Sequence, residues 1–256
     1  MSEARILTET RGAVLIVTIS RPDRRNAMDA QAAQEIEHAW DRLDEDSSLL
    51  AAIITGAGGV FSAGADLKAA ASGGPPARTT RRGFFGTIGQ PPQKPLLAAV
   101  EGDAFGGGFE LALACDLIIA AQTARFCLPE SRRGVLAVAG GAARLPTKIP
   151  LNIAMEMLLT GAPQPAARLH ALGLVNMLCA PGEALATALT LADSIAANAP
   201  LAVAAAKRVV QAVAASGESA GWARQQPEWE QLRASADYRE GIAAFAEKRP
   251  PQWRGQ

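Results

Sequence analysis

Two glutamates and two glycine-bearing turns are the parts of this 256-residue sequence best suited to chemistry. One turn reads Phe61-Ser62-Ala63-Gly64-Ala65-Asp66-Leu67-Lys68, the other Gly106-Gly107-Gly108-Phe109-Glu110-Leu111. Each leads towards a predicted helix. A helix start leaves backbone N–H groups without intrahelical partners and carries the positive end of the helix dipole, and glycine lets a ligand approach the backbone closely. Two such turns facing one point can hold an oxyanion with one N–H each; either turn alone reads as a tight turn and helix entry. Glu110 follows the triple glycine among Phe, Leu and Ala, and Glu130 follows Phe126-Cys127-Leu128-Pro129. A carboxylate in apolar surroundings is costly to bury unless it is paired or used. If the two converge they titrate as a pair. Such a pair can hold a water, take its proton and deliver one elsewhere. The alternative is two unrelated salt-bridged glutamates, with Arg125, Arg132 and Arg133 as available partners.

Other chemistries fail on their residues. Gly56-Ala57-Gly58-Gly59-Val60-Phe61 has Phe where a dinucleotide fingerprint needs Gly, and no Gly-Lys-Ser/Thr follows either glycine cluster. Val60-Phe61-Ser62-Ala63-Gly64 lacks the first Gly of a nucleophile elbow. Only His38 and His170 offer imidazole, which argues against a zinc site. Lys and Arg, 25 in all, balance 25 Asp and Glu, so nothing favours bulk attraction to nucleic acid or anionic membrane. The three cysteines, Cys115, Cys127 and Cys179, form no CxxC pair; a reducing compartment, the cytoplasm, is expected. Met1–Gly12 has no apolar core of a secretory signal. The longest uncharged stretch, Ser47–Ala65, holds four glycines and does not read as a membrane span.

The elements that must position these groups follow from periodicity. Hydrophobic residues are 49% of the chain, enough for a sizeable core, and many are alanine, so close packing of small side chains is expected. Apolar runs at Val14–Ile19, Ala51–Thr55, Leu96–Val100 and Leu117–Ala120 predict strands. Asp29 is placed to cap a helix carrying Ala32, Ile36, Trp40 and Leu43, and Leu111–Ala114 lies in a short helix. From Leu151 the pattern turns helical, with a helix ended by Gly161, another between Pro165 and Gly173, a last strand in Leu174–Cys179, and helices in Glu183–Asn198, Leu201–Ala215, Gly221–Ser235 and Tyr238–Lys248. Strands alternating with helices and then helices alone indicate an α/β class. Between Asp66 and Glu101 there is no acidic residue, yet Lys68, Arg78, Arg81, Arg82 and Lys94 all occur. That segment reads either as a plain surface loop or as a basic rim for an anionic ligand.

Taken together, the sequence resembles the crotonase family, the enoyl-CoA hydratase/isomerase superfamily, over nearly its whole length. The resemblance rests on Arg21-Pro22…Asn26-Ala27, the two glycine turns, Cys115-Asp116, Pro129-Glu130, Gly140-Gly141-Ala142-Ala143-Arg144-Leu145, Leu159-Thr160-Gly161, Ala171-Leu172-Gly173-Leu174-Val175 and Glu240-Gly241…Ala244-Phe245…Glu247-Lys248-Arg249. It implies a spiral of ββα units over residues 1–195, holding an acyl-CoA site. A helical region, 196–256, would build homotrimers or dimers of trimers. It implies an acyl-CoA thioester as partner, without metal or redox cofactor, its carbonyl oxygen held by the amides of Ala65 and Gly107. By the same likeness Glu110 would activate water for attack at Cβ and Glu130 would give and take the proton at Cα. Isomerases of the family commonly need one acid, so two favour a 2-enoyl-CoA hydratase. A 3-enoyl-CoA isomerase, a carnitinyl-CoA-type hydratase and a non-catalytic acyl-CoA-binding protein are the alternatives. Arg25, Asp66, Lys68 and the carbonyl of Ala63 are implied along the CoA path, the last against adenine, and Lys248 near the 3′-phosphate. The sequence departs from the family after Glu130, where Ser131-Arg132-Arg133 appear and Ala137-Val138 replace a Pro-Gly. The Val138 amide is the expected water-binding group there.

Overall fold

The computed structural model describes residues 4–256, the side chain of Ala70 excepted. Of the Met1–Gly12 segment read above for a secretory signal, the first three residues lie outside that range. Strands β1 (Ile6–Arg11) and β2 (Val14–Ile19) form an antiparallel hairpin with Ile6 opposite Ile19. Helix α1 (Ala30–Glu45) follows, its start capped by Asp29, whose carboxylate accepts the Ala32 N–H at 2.9 Å. The expected stripe of Ala32, Ile36, Trp40 and Leu43 is fully buried. Next come β3 (Ala51–Gly56), α2 (Leu67–Ala71) and a two-residue hairpin of β4 (Arg78–Thr79) and β5 (Gly83–Phe84). The middle of the chain supplies β6 (Leu96–Val100), β7 (Ala104–Phe105), α3 (Gly107–Ala114), β8 (Leu117–Ala121) and β9 (Arg125–Cys127). Then follow α4 (Gly141–Lys148), α5 (Leu151–Thr160), β10 (Gln164–Pro165), α6 (Ala166–Ala171) and β11 (Met177–Cys179). Helices α7 (Ala184–Ala196), α8 (Pro200–Ser216), α9 (Glu218–Ala234) and α10 (Ala236–Glu247) complete it.

The large sheet runs β1-β2-β3-β6-β8-β11, parallel except for the hairpin, and a small sheet runs β10-β9-β7. Each circuit of the chain gives one strand to the large sheet, one short strand or bridge to the small one, and then a helix or helical turn. Ser62 bridges Ala104, and Ala104 pairs with Phe126, all in parallel. The three circuits are therefore stacked in register. Ala65 and Gly107 each lie three residues past this row, and Glu130 lies four past it, so the repeat itself brings them together.

Strand alternation divides the core into two layers. Leu15, Val17, Ile54 and Ala98 face α1. Val14, Ala51, Ile53, Leu97 and Ile119 face Ala184, Ala188 and Ala192 of α7, whose small side chains allow close approach to the sheet. Lys207 of α8 ties the helical region back to it, its Nζ–H groups reaching the Pro92 and Lys94 carbonyls, each at 2.9 Å, and Asp116 at 2.6 Å. On α9 the buried Glu228 is held by Arg208 and Arg224. No single helix among the described residues is long and apolar enough to cross a membrane.

Two expectations need correction. The last strand is shorter than Leu174–Cys179, because Leu174 and Val175 close the end of α6 through the Leu169 carbonyl instead of joining the sheet. The basic segment is also neither a plain loop nor an open rim. Arg81 pairs with Glu37 and Asp41 of α1, and Arg82, only 3% exposed, pairs with Asp41 and Asp44. The Lys94 ammonium donates to the Leu43 and Asp46 carbonyls at 2.7 Å, closing the C-terminal end of α1. Lys68 and Arg78 are its remaining outward cations, Arg78 stacked on the Phe84 ring at 5.5 Å.

Candidate active site

The first glycine turn is fixed from below. Asn26, fully buried with φ 54°, accepts the Arg21 N–H and donates to the Ala57 and Val60 carbonyls. The Ser62 hydroxyl donates to the Asn26 carbonyl at 2.7 Å and accepts the Gly64 N–H at 3.0 Å. Ser62 is thus a strut rather than a nucleophile, a role hidden in sequence because its partner lies 36 residues upstream. Gly64 O accepts the Met28 N–H, and the Met28 carbonyl accepts the Asp66 N–H. In this parallel bridge of Met28 with Ala65 the intervening Ala65 N–H points away from Met28.

The second turn meets the first at backbone distance. A Cβ on Gly64, where φ is +90°, would stand 2.6 Å from the Gly107 nitrogen and 3.0 Å from the Phe105 carbonyl oxygen. Gly107 opens α3, so its N–H has no helical acceptor. The Gly106 N–H is already given to Cys127, and the Glu110 N–H to Gly106. Phe85, buried and also at positive φ, lays its ring against the Cα of Gly107 and forms the adjoining wall.

Glu130 points to this seam, and Glu110 lies close enough to feel its charge. Glu130 begins a 3₁₀ turn, Glu130–Arg133, and its Oε1 lies 3.0 Å from where a Cβ on Gly106 would sit. Its Oε2 is buried and has no hydrogen-bond partner among the described residues. Burial pushes its pKa up, while its own amide and Arg133 offset part of the rise. Glu110, 4% exposed, accepts the Gly141 N–H at 2.9 Å. Burial raises its pKa to about 7; the Gly141 amide opposes the rise and the Glu130 charge adds to it. The two carboxyls therefore sense each other, and the alternative of separate salt bridges falls away. Arg125 is engaged with Asp103, and Arg132 donates to the Thr160 carbonyl at 2.6 Å.

The Val138 amide is not the water-binding group expected from sequence, because it already donates to the Leu136 carbonyl at 2.8 Å. The amides of Gly141 and Ala139 face Glu110 instead. Around the seam, Ala63 gives its N–H to the Arg25 carbonyl, and the Arg25 guanidinium bridges Asp103 at 2.8 Å above the Phe105 ring. Asp66 is turned inward onto Arg21, Arg24 and the Ala69 amide. Burial would raise its pKa, but these partners outweigh burial and hold it below the ordinary range. Lys68 is exposed on α2, and Lys248 is exposed just past α10, a helix packed on α9.

Glu110 has a stability consequence whose sign is fixed. The folded form keeps its proton up to about pH 7, whereas the ordinary value is 4.5. Between those values the native state binds more protons than the unfolded one, so stability falls as pH rises from 4.5 through 7. Glu110→Gln removes this loss, which is on the order of 3 kcal/mol. Urea midpoints of the two proteins compared from acid to pH 8 should diverge in favour of the variant; parallel curves would show that the acid is not held protonated.

A stacked ββα spiral, with two glycine turns in backbone contact and two glutamates that feel each other's charge, defines a crotonase-fold protein. A sequence model of the enoyl-CoA hydratase/isomerase family matches residues 9–256, and the chain belongs to that family. It is 42% identical to the carnitinyl-CoA dehydratase of Proteus mirabilis, with all of both chains covered. It is 38% identical to enoyl-CoA hydratase EchA19 of Mycobacterium tuberculosis over 98% of this chain and 96% of that one. Among solved structures it superposes on an enoyl-CoA hydratase from Mycobacterium tuberculosis H37Rv with a TM-score of 0.95 at 46% identity, covering 99% of this chain and 100% of that one. It superposes on a carnitinyl-CoA hydratase from Mycobacterium avium with a TM-score of 0.80 at 41% identity, both chains fully covered.

Proposed function

We propose that the protein is a hydro-lyase that adds water reversibly across the 2,3 double bond of a 2-enoyl-CoA thioester. The thioester oxygen accepts hydrogen bonds from the Ala65 and Gly107 amides. Ionised Glu110 takes a proton from the water as its oxygen bonds to Cβ, and the electron pair of the double bond moves through Cα onto the thioester oxygen. The enolate collapses as Cα takes a proton from Glu130 and the carbonyl reforms. Each oxyanion donor contributes about 3 kcal/mol to lowering the barrier. The observation that carries this reading is the buried Oε2 of Glu130, without a hydrogen-bond partner among the described residues, on a carboxyl that reaches the Gly106 turn. No metal or redox group is needed for any step, and CoA enters as part of the substrate.

Two acids favour hydration over isomerisation, and a passive acyl-CoA binder has no use for either. The 42% identity to a carnitinyl-CoA dehydratase keeps a carnitinyl-CoA-type substrate as a second reading. The closer superposition on an enoyl-CoA hydratase favours the first. The test is loss of the conjugated enoyl absorbance from a short 2-enoyl-CoA, run beside a 3-enoyl-CoA and a carnitinyl-CoA. Preference for the 3-enoyl ester would replace hydration by isomerisation. Along the CoA path we assign Arg25, Lys68 and the Ala63 carbonyl to direct contact and Asp66 to holding the turn, with Lys248 near the 3′-phosphate. Neutral net charge and three buried free cysteines fit a cytoplasmic enzyme with neither nucleic acid nor membrane as partner.

The homotrimer or dimer of trimers also belongs to this proposal, with residues 196–256 contributing to assembly. On α5, Leu151, Met155 and Leu159 share one face at steps of four residues, and Leu151 and Leu159 are 66% and 70% exposed. On α10, Ile242 and Phe245 are exposed as well. Such faces mark association surfaces. Leu159→Glu is expected to shift the protein to a smaller species in light scattering; an unchanged mass would remove α5 from the interface.

A further inference from the structure

Arg144 has no role in the chemistry assigned above, yet it stands between both halves of the site. It lies one turn past Gly141 on α4 and donates from Nη2 to the Ile88 carbonyl at 2.7 Å. Its Nη1 lies so close to Gly140, where φ is 103°, that a side chain there would strike it. Among the described residues no carboxylate comes within ion-pairing distance of it. Burial nevertheless draws its guanidinium out of water and lowers its pKa, and its charge acts on Glu110 and Cys115. A cation held in that way without an ion pair is costly. What it joins gives the cost a use. On one side are Gly140 and Gly141, the second of which cradles Glu110. On the other is the segment from Arg82 to Gly89, closed by the Gly89 N–H on the Arg82 carbonyl, which presses Phe85 onto Gly107.

We propose that Arg144 is a positioning residue for the reaction: its guanidinium clamps Ile88 to the Gly140 loop and keeps the Phe85–Gly107 wall in register with the cradle of Glu110. Its charge also favours the ionised Glu110 that must accept a proton from water. The groups around Glu110 make this effect readable. Glu130 opposes ionisation from the 3₁₀ turn; Arg144 and the Gly141 and Ala139 amides favour it. Arg133 acts on Glu130. Lys148, also on α4, is turned to the Cys115 carbonyl at 3.4 Å. The Cys115 thiol is raised by burial and by Asp116 and stays neutral, and Asp116 itself is paired with Lys207.

The inference deepens the hydratase reading and rests on it for its kinetic arm alone. Arg144→Gln and Arg144→Lys are compared with wild type by pH profiles of kcat/KM and by carbon NMR titration of glutamate-labelled protein. The Glu110 signal is identified by its loss in Glu110→Gln. For Arg144→Gln, the Glu110 midpoint and the acidic limb of the profile should both move up by about half a pH unit or more. The misplaced wall should lower kcat by about tenfold with little change in KM. Arg144→Lys should keep the midpoint near wild type and still lose kcat, which decides the matter if the glutamine variant does not fold. An unchanged Glu110 midpoint in Arg144→Gln, or full kcat in Arg144→Lys, overturns the proposal, even if melting temperatures fall. A midpoint that shifts in a protein inactive on 2-enoyl-CoA upholds the Arg144–Glu110 coupling and rejects the hydratase reading instead.

Discussion

Glu130→Gln should lower turnover of a short 2-enoyl-CoA by about 10²- to 10⁴-fold, the range expected when a positioned proton donor is lost, while CoA-ester binding is retained. The amide is nearly isosteric with the acid, and no ion pair is broken among the described residues. The Ala65 and Gly107 donors are untouched, so ground-state affinity should persist. What disappears is a proton that Cα can accept. Glu110→Gln should cost a similar factor for a different reason, because the attacking water then has no base. The two losses should not add in the double variant, since each acid works only with the other. Turnover by absorbance and ligand affinity by calorimetry separate the cases. Near-wild-type hydration by both single variants would remove the carboxyls from the mechanism, whereas a loss confined to one would favour isomerisation.

Gly64→Ala is the second change expected to be severe. At φ +90° an alanine is strained before it touches anything. Its Cβ would then stand 2.6 Å from the Gly107 nitrogen and 3.0 Å from the Phe105 carbonyl oxygen, and both are backbone atoms that have no rotamer to change. The two turns must part, and at least one oxyanion donor leaves its position, for a loss of about 10²- to 10³-fold in kcat. Gly73→Ala is the control. It also has positive φ, 77°, but its added methyl meets nothing within 4 Å. If both variants kept full turnover, the close approach of the two turns would have no bearing on catalysis.

The sequence was legible where one residue type does one job over a short span. The buried strands β2, β3, β6 and β8 appear as apolar runs, α1 begins at its capping aspartate, and the two glutamates stand out against apolar neighbours. It was opaque where meaning depends on distant partners. β1 has one buried residue in six, so no alternation marks it. β7, β9 and β10 are two or three residues long, below any periodicity, yet the pairing of β7 with β9 brings the start of α3 beside the turn that carries Glu130. The arginines of the basic segment look free until α1, some 40 residues upstream, brings its carboxylates to them. Ser62 and Asn26 could have been linked from sequence only by asking what holds the first glycine turn. The Val138 amide was misassigned because a likeness across a substituted loop carries residue positions but not amide directions.

The borders of the large sheet have a consequence for how copies of this chain can meet. At one border β1 shows solvent five polar or exposed residues, including the Glu9–Arg11 ion pair, and at the other β11 is three residues long. Neither gives a second molecule a long, flat, greasy ribbon to zip onto. Crowded copies are thereby steered away from fibre-like growth along the sheet borders.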